Sequence, residues 1–356
     1  MAQIFEYSDP NIITGLTDYG KTLNSLIIPQ FSEIDNLVTI TKINTMAFCN
    51  INTFSSVTIP ANIITIGDSA FFNCTNLSYV TLTNGLQIIG NSAFYNCTSL
   101  SSINITSSII NFGDLAFYNC TSLSSINIPS SITNFGESAF YNCINLTSVT
   151  LTNGLQTIGD LAFFNCTSLS SINIPSSIIN LGINPFTQCR LTLITTSGNS
   201  NYFTIDNINN GYVLRTLTNP TRIVSATTNI TSYILNNILQ IDDNAFSNCA
   251  SLSSVTLNTG LQIIGVLAFY NCTSLSSVII PASITDFGNN AFESCIGLTS
   301  VILTDGIRMI GENAFVGCTS LSSINIPSSV LYFGENSSSG FINPFTYCPL
   351  TSITTD

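Results

Sequence analysis

The chain of 356 residues has no histidine and no tryptophan, and only six of its residues are lysine or arginine. Charged residues make up 7% of the sequence, whereas roughly 25% is usual in a globular domain. The formal net charge of −12 argues against a nucleic-acid surface and against attraction to anionic lipid. Serine, threonine and asparagine must therefore supply most of the polar surface.

The lack of histidine also restricts the chemistry. A serine or cysteine nucleophile would lack its usual general base. The carboxylates are scattered along the chain, so no converging pair for glycoside hydrolysis is visible. No phosphate-binding or dinucleotide-binding glycine motif occurs. We therefore predict a protein that is not an enzyme and that needs no cofactor.

Two kinds of hydrophobic segment are missing as well. The first twenty residues contain Glu6, Asp9 and Asp18 but neither a basic start nor an apolar core, so no secretory signal is visible. No uninterrupted apolar run is long enough to span a bilayer. We expect a soluble chain without membrane insertion.

What the sequence does have is a repeat of 23 residues, for which Ala-Phe serves as the register mark. A clean copy runs from Ile66 to Ile88 and restarts at Ile89-Gly90. A period of this size is typical of a solenoid. The register alanines are Ala47, Ala70, Ala93, Ala116, Ala139, Ala162, Ala245, Ala268, Ala291 and Ala314.

The second half of this unit predicts a strand. In the segment Leu77 to Thr83, the apolar Val80 and Leu82 alternate with polar residues, which predicts one short strand per coil with one buried face. The first half predicts a turn and a helix. The recurring glycine, Gly67 in this copy, predicts positive φ, and Asp242, which replaces it once, tolerates that region.

An acidic residue or asparagine follows the glycine, as Asp68 does, and precedes a small residue and Ala-Phe. This order is typical of a helix N-terminus, and it predicts a single helical turn in each coil. The phenylalanine of the register mark, such as Phe71, is predicted to stack on its copies and to form a spine in the core.

Eleven of the twelve cysteines occupy one repeat position, three residues after that phenylalanine. This regularity favours a column of buried free thiols, although neighbouring coils would bring the sulfurs near disulfide range, so an oxidised ladder stays open. Parallel identical side chains do not converge into a tetrahedral metal site. A Ca²⁺ site on the acidic column of Asp68, Asp114, Glu137 and Asp160 is the weaker interpretation, because helix starts prefer acidic residues anyway. We predict no metal site.

The departures from the repeat predict four parts. Residues 1–45 form an N-terminal cap and a degenerate first coil, 46–196 the first array, 197–230 a β-rich insertion, and 231–356 the second array. The insertion contains strand-like pieces at 202–205, 212–214 and 222–224, with a turn at 207–211, and is either a structural splice or a binding protrusion. A Ser/Gly-rich excess occurs at 337–340, and the final residues match the start of the insertion, so a further unit is a possibility.

The pattern Ile-Gly-x-x-Ala-Phe-x-x-Cys-x-x-Leu-x-x-Ile-x-Ile-Pro resembles the BspA-like leucine-rich repeats, also called the Treponema pallidum type, over roughly residues 20–356. The resemblance implies a right-handed leucine-rich repeat solenoid with a parallel β-sheet on its concave face. With the helical turns on the other side, the fold class would be α/β. It also implies a surface antigen or adhesin that contacts host or extracellular-matrix proteins, located at the cell surface without a visible signal peptide.

Stacked coils of this kind present an extended sheet that commonly binds proteins. The candidate site therefore consists of side chains that point outward from the strands, and it is nearly uncharged, so it would bind by shape and hydrogen bonds. Its residues are Tyr79, Thr81, Asn104, Asn127, Thr150, Asn173, Thr256, Ile279, Ile302 and Asn325.

Within this site, Ile279 and Ile302 occupy the central outward position of two adjacent coils, where other coils have threonine or asparagine. Strands in register lie about 4.8 Å apart, so the two side chains should touch and form an exposed apolar spot. The alternative is a drift toward β-branched residues without function.

Other functions stay open. A cytoplasmic scaffold that binds proteins agrees with free thiols and with the lack of a visible signal. Ice binding through threonine and asparagine ladders is weaker, because proline, asparagine and isoleucine interrupt the threonine rows. The sequence gives neither the protein partner nor the oligomeric state.

Overall fold

The computed structural model describes residues 3–34, 36–208, 211–334 and 343–355. The chain forms two compact units, residues 1–190 with 196–198 and residues 191–195 with 199–356. Each unit is a parallel β-solenoid, and together they contain about 13 coils of ~23 residues. The Ser/Gly-rich excess at 337–340 and residues 209–210 of the predicted turn lie outside the described residues. The four-part division remains a prediction.

Each regular coil has three sides. The coil that follows Leu77 begins with a strand at Tyr79–Leu82, continues with a two-residue strand at Ile88–Ile89, and then turns from Gly90 to Cys97. We call these the long-strand side, the short-strand side and the turn side. The sequence predicted only the first strand. The second was missed because two residues are too few to show an alternating pattern.

In the first unit, six of the seven long strands pair in parallel with one another, the first four in one sheet and the next two as a pair. The long strands are Ser25–Ile27, Ser56–Ile59, Tyr79–Leu82, Ser102–Ile103, Ser125–Ile128, Ser148–Leu151 and Ser171–Ile174. The short strands form a continuous ladder. They are Lys42–Ile43, Thr65–Ile66, Ile88–Ile89, Asn111–Phe112, Asn134–Phe135, Thr157–Ile158 and Asn180–Leu181.

The second unit repeats this plan. Its long strands are Ser232–Ile234, Ser254–Thr256, Ser277–Ile280, Ser300–Leu303, Ser323–Ile326 and Ser352–Thr355. Its short strands are Gln240–Ile241, Ile263–Ile264, Asp286–Phe287, Met309–Ile310 and Tyr332–Phe333. A further strand, Leu193–Thr196, lies at the sequence junction of the two units.

Antiparallel strands precede the short-strand ladder in both units. In the first unit, Phe5–Asp9 pairs with Ile12–Leu16, which continues in parallel to Lys42–Ile43. In the second unit, the strands Phe203–Ile208, Gly211–Thr216 and Arg222–Ala226 pair in this order, and the last continues in parallel to Gln240–Ile241. The three strands predicted for the insertion are confirmed, and they extend the ladder of the second unit.

The turn side is not helical, so the predicted helical turns and the α/β class are wrong. Among the described residues, helix is limited to the 3₁₀ segment Gly20–Thr22. The reason is that each turn contains two residues in the left-handed region, four positions apart. In one coil they are Ser69, with φ 53°, and Asn73, with φ 57°. A left-handed residue interrupts a right-handed helix.

The left-handed residues also redirect the backbone hydrogen bonds. The N–H groups of Ala70 and Phe72 donate to carbonyls three residues earlier in the same turn. The N–H groups of Ser69 and Phe71 instead donate to carbonyls of the next coil, each at 2.8 Å. The turn side is therefore a ladder of bonds between coils. Asparagine tolerates the left-handed region better than most residues, which explains why it precedes so many of the cysteines.

The recurring glycine does not serve the predicted purpose. Of the glycines in this column, only Gly334 has positive φ, at 74°. The common requirement is close approach, because a Cβ added to Gly136 would lie 2.4 Å from the backbone nitrogen of Asp114 in the preceding coil. The position thus excludes side chains because of packing between coils rather than because of its own dihedral angles.

Asp242 takes the glycine position where the regular array follows the antiparallel strands. Its φ is not positive, in contrast to the sequence prediction. Its carboxylate is fully buried, pairs with the guanidinium of Arg222, and accepts a hydrogen bond from Gln240 at 3.1 Å. Burial raises the pKa of Asp242 to about 7, while the neighbouring Arg222 opposes the rise.

The phenylalanine spine is confirmed. Phe71 and Phe94 stack with ring centroids 5.1 Å apart and planes 4° apart, and both are fully buried. The second unit has its own spine, in which Phe246 and Phe269 stack at 5.0 Å. Leucine, isoleucine and valine from both strand sides fill the remainder of the core.

The glycine column gives a test. Gly136→Ala should lower the free energy of unfolding by about 1–3 kcal/mol, the usual cost of overpacking, because backbone atoms must move to accept the methyl group. Urea unfolding measures the change. Gly260→Ala is the matched control, because the nearest atom to its added Cβ is the amide nitrogen of Asn258 at 3.4 Å. Equal stability of both variants would contradict the close-approach explanation.

Candidate binding surface

The predicted site residues lie on the long-strand side or directly beside it. Nine of the ten are exposed, namely Tyr79, Thr81, Asn104, Asn127, Thr150, Asn173, Thr256, Ile279 and Ile302. The tenth, Asn325, is half-buried and accepts a hydrogen bond from the Oγ1 of Thr354 at 2.8 Å. Asn104 lies just after the strand Ser102–Ile103 rather than in it.

The strand register brings some of these residues together. Asn127 lies opposite Thr150 in the first unit. Ile279 lies opposite Ile302, and Ile302 lies opposite Asn325, in the second unit. Thr81, Asn104, Asn173 and Thr256 occupy the same repeat position in their coils, and Tyr79 lies two residues before Thr81. The candidate site in each unit is therefore a surface and not a pocket.

Ile279 and Ile302, which we call the isoleucine pair, are 56% and 50% exposed. Each isoleucine has a serine two residues before it, Ser277 or Ser300, and these two serines also lie opposite each other. The pair is thus an exposed apolar spot with polar side chains beside it.

Sequence reasoning missed two further exposed isoleucines at the same strand position. Ile234 lies opposite Thr256 and is 62% exposed, and Ile27 lies opposite Thr58 and is 72% exposed. Both belong to the first long strand of their unit, where no Ala-Phe mark in the expected register precedes them. A search for the three-residue pattern of a serine, a large apolar residue and an outward-facing residue would have found both isoleucines.

All twelve cysteines are free thiols. The thiol of each column cysteine donates to a backbone carbonyl of the coil before it, as Cys97 does to Phe71 at 3.1 Å. The same carbonyl of Phe71 also accepts the backbone N–H of Cys74. The thiol of Cys97 therefore bonds to the second lone pair of that carbonyl oxygen. The sulfur column is thus part of the hydrogen bonding between coils.

Burial controls the ionisation of these thiols. Desolvation raises the pKa of Cys74, Cys143 and Cys249 to about 12. A thiol is nucleophilic only as the thiolate, so these three cysteines are chemically quiet near neutral pH.

Thiol labelling tests this arrangement. At pH 8 a small disulfide reagent should modify the half-buried Cys49, Cys189 and Cys348 first. The nine buried thiols should react at least ~100-fold more slowly, because the fold covers them and keeps the reagent away from the sulfur. The same chain in denaturant is the control and should release all twelve thiols at one fast rate. Fast labelling of all twelve in the native protein would contradict the burial.

The acidic column has a structural role that differs from the predicted helix start. The Oδ1 of Asp68 accepts the backbone N–H of Asn91 at 2.8 Å, and the Oδ1 of Asn91 accepts that of Asp114 at 2.9 Å. Each side chain thus caps the equivalent residue of the next coil. Because asparagine accepts as well as aspartate, the column does not need charge. Among the described residues, no group of three or more metal-ligating side chains lies close enough to hold an ion.

A polar cavity of about 480 Å³ lies between the insertion and the strand that follows it. At its wall, the carboxylate of Asp206 accepts hydrogen bonds from the Nε of Arg215 at 2.9 Å and from the hydroxyl of Tyr233 at 2.6 Å. These three groups satisfy one another, and Tyr233 follows the insertion in sequence. The cluster therefore attaches the antiparallel strands to the first long strand of the second unit, which favours the splice over the binding protrusion.

The coils and their repeated motif define a leucine-rich repeat solenoid. The family model described as BspA type leucine rich repeat region, which spans six copies, matches residues 27–147, 133–223 and 223–351. The chain belongs to this family.

Solved structures agree. A leucine rich cell surface protein from Faecalibacterium prausnitzii is 30% identical, with a TM-score of 0.85 over 99% of this chain and 92% of that one. A leucine-rich repeat protein from Bacteroides ovatus is 23% identical, with a TM-score of 0.62 over 99% of this chain and 90% of that one. The pneumococcal vaccine antigen PcpA is 18% identical, with a TM-score of 0.64 over 98% of this chain and 96% of that one.

No protein with a curated description matches the chain significantly. Within the described ranges, the structure has no helix with the length and apolar character required to cross a membrane.

Proposed function

We propose that this protein binds other proteins through its long-strand side and performs no catalysis. The exposed row of this side contains serine, threonine, asparagine and isoleucine. These side chains offer hydrogen bonds and apolar contact without charge. A partner would therefore be recognised by shape, and its affinity should depend little on salt.

The isoleucine pair supports this proposal most strongly. The two side chains lie in register on neighbouring strands, and about half of each is open to solvent. Because the opposite face of their strands already fills the core, neither side chain contributes to the core. A partner that covered both would gain the apolar burial that the folded chain leaves unused.

We further propose that the protein is a surface antigen or adhesin whose partners are host or extracellular-matrix proteins. The support is the family and the likeness to the cell surface protein of F. prausnitzii, which aligns with nearly the whole chain. Each unit would then have its own contact surface on its long-strand side, with Tyr79 to Asn173 in the first unit and Thr256 to Asn325 in the second.

The binding test uses immobilised extracellular-matrix and host-cell surface proteins in physiological salt. The variant Ile279→Asn with Ile302→Asn replaces each residue by one that other coils carry at this position. Loss of a hot-spot residue costs at least ~1 kcal/mol, so the double variant should bind a partner at least ~10-fold more weakly. Surface plasmon resonance measures the affinity, and circular dichroism checks the fold.

Val266→Asn with Ile296→Thr is the matched control. These two residues are also roughly half exposed, but Val266 lies on the turn side and Ile296 directly follows it, and other coils have asparagine and threonine at these positions. The control should bind as well as the parent chain. Unchanged binding by the isoleucine variant would exclude this pair, and a chain that binds no member of the panel would remove the adhesin proposal.

A protein-binding scaffold inside the cell is the second candidate, and the free cysteines favour it, because a reducing compartment keeps thiols unpaired. Biotinylation of intact source cells with a reagent that does not cross the membrane separates the two. The adhesin proposal expects labelled protein. Recovery of all the protein unlabelled in the cytosolic fraction would support the scaffold instead.

A further inference from the structure

The turn side of the first unit carries a second row of stacked rings in addition to the buried spine. These residues directly follow the register phenylalanine, so they point away from the core. The row consists of Phe72, Tyr95, Tyr118, Tyr141 and Phe164, and each ring is half-buried. Neighbouring centroids are 4.5–4.8 Å apart, and the planes differ by at most 10°.

The three central rings are phenols. Tyr95 and Tyr118 have centroids 4.6 Å apart and planes 1° apart, and Tyr118 and Tyr141 have centroids 4.6 Å apart and planes 9° apart. When two parallel rings are related by a translation alone, every atom of one ring lies at the same distance from its counterpart in the other. The ring carbons ortho to the hydroxyl therefore lie about as close to each other as the centroids do, without rotation of either side chain.

The surrounding bonds hold these residues at that spacing. Asn96 follows Tyr95, and its side-chain amide donates to the Oδ1 of Asn73 at 2.5 Å in a ladder that continues through the next three coils. The carbonyl of Tyr118 accepts the backbone N–H of Asn96 at 2.8 Å. Burial and the neighbouring phenols Tyr141 and Tyr95 raise the pKa of Tyr118. The rings therefore stack without the repulsion that two phenolates would have.

From this geometry we propose that Tyr118 forms a dityrosine cross-link with Tyr95 or Tyr141 when the protein meets a one-electron oxidant, such as hydrogen peroxide used by a haem peroxidase. Each phenol loses one electron and its hydroxyl proton and becomes a radical with spin density on the ortho carbons. Two radicals on stacked rings combine into one carbon–carbon bond. Each bonded carbon then releases its hydrogen to the phenol oxygen by tautomerisation, which restores both phenols.

The atoms and electrons balance. Two tyrosines release two electrons and two protons in all, and one hydrogen peroxide takes them up and becomes two water molecules. The product differs from the parent chain by the loss of two hydrogen atoms. The new bond closes a loop across one coil, so it restricts the unfolded chain as a disulfide does.

The second unit provides an internal comparison. Tyr270 occupies the same repeat position and is also half-buried, but the corresponding residues of the flanking coils are Ser247 and Glu293. Tyr270 therefore has no ring to couple with in the same row. It should be oxidised without forming a bond inside the chain.

The experiment treats the full-length chain, at a concentration low enough to limit coupling between molecules, with a haem peroxidase and one equivalent of hydrogen peroxide. We expect monomeric product with dityrosine fluorescence, an intact mass lower by two hydrogens, and a linked peptide pair that contains Tyr118 with Tyr95 or Tyr141. The cross-linked chain should unfold at a higher temperature than the untreated chain.

Tyr118→Phe keeps a ring in the stack but leaves its two phenol neighbours two coils apart, so the fluorescence of the monomer should fall to background. Tyr270→Phe, the control at the equivalent position, should give the parental yield. Tyr95→Phe and Tyr141→Phe should each retain one coupling pair.

Three results would overturn the proposal. One is full monomer cross-linking in the Tyr118→Phe variant. Another is dityrosine found only in dimers, through exposed residues such as Tyr79. The last is oxidation that ends at the neighbouring thiols, with disulfides in place of dityrosine.

Discussion

Every coil depends on backbone hydrogen bonds to the coil before it and the coil after it. A coil is a single layer of chain, so its strands cannot satisfy their own N–H and C=O groups. The long strand at Tyr79–Leu82 pairs in register with Ser56–Ile59, and the short strand at Ile88–Ile89 pairs with Thr65–Ile66. On the turn side, the N–H of Phe71 reaches the carbonyl of Ala93. Because all three sides advance together, the regular coils keep one length, and a longer coil, such as the one between Ser25 and Ser56, must return to the same strand register.

This constraint decides which side chains a column can contain, because each residue lies beside copies of itself. Asparagine suits the arrangement, since its amide has both a donor and an acceptor and can bond to an identical neighbour, as Asn96 does to Asn73. Phenylalanine and tyrosine stack. Identical charges about 4.8 Å apart would repel along the whole column. The scarcity of charged residues, 7% of the chain, agrees with this constraint.

The columns were predictable because burial and stacking act on single positions that recur. The long strand, the phenylalanine spine and the strands of the insertion followed from local patterns that the structure confirms. The predicted helical turn was wrong. Asp68 and Ser69 have the sequence pattern of a helix start, and only their contacts with the next coil reveal their role. Gly136 was misjudged for the same reason, since its neighbour in space lies one coil away.

The candidate surface was predictable only in part. Alternation along the strand identified which face of Ile279 and Ile302 points outward, because a residue pattern of period two is a local property. Ile27 and Ile234 were missed, because the first strand of each unit lacks the preceding register mark that aligns the others. The half-burial of Asn325 depends on a bond from Thr354 in the next coil, which no local pattern contains.

The bonds between coils run in one direction, along the axis on which the coils of a unit are stacked. A force that pulls the chain end away from a unit along this axis would concentrate on the few bonds where the outermost coil leaves the stack, whereas each inner interface would share the load over the bonds of all three sides. The chain should then peel off in equal steps. Each step would release ~23 residues, or up to about 80 Å of extended chain, so the molecule would lengthen under tension while most of its layers stayed folded.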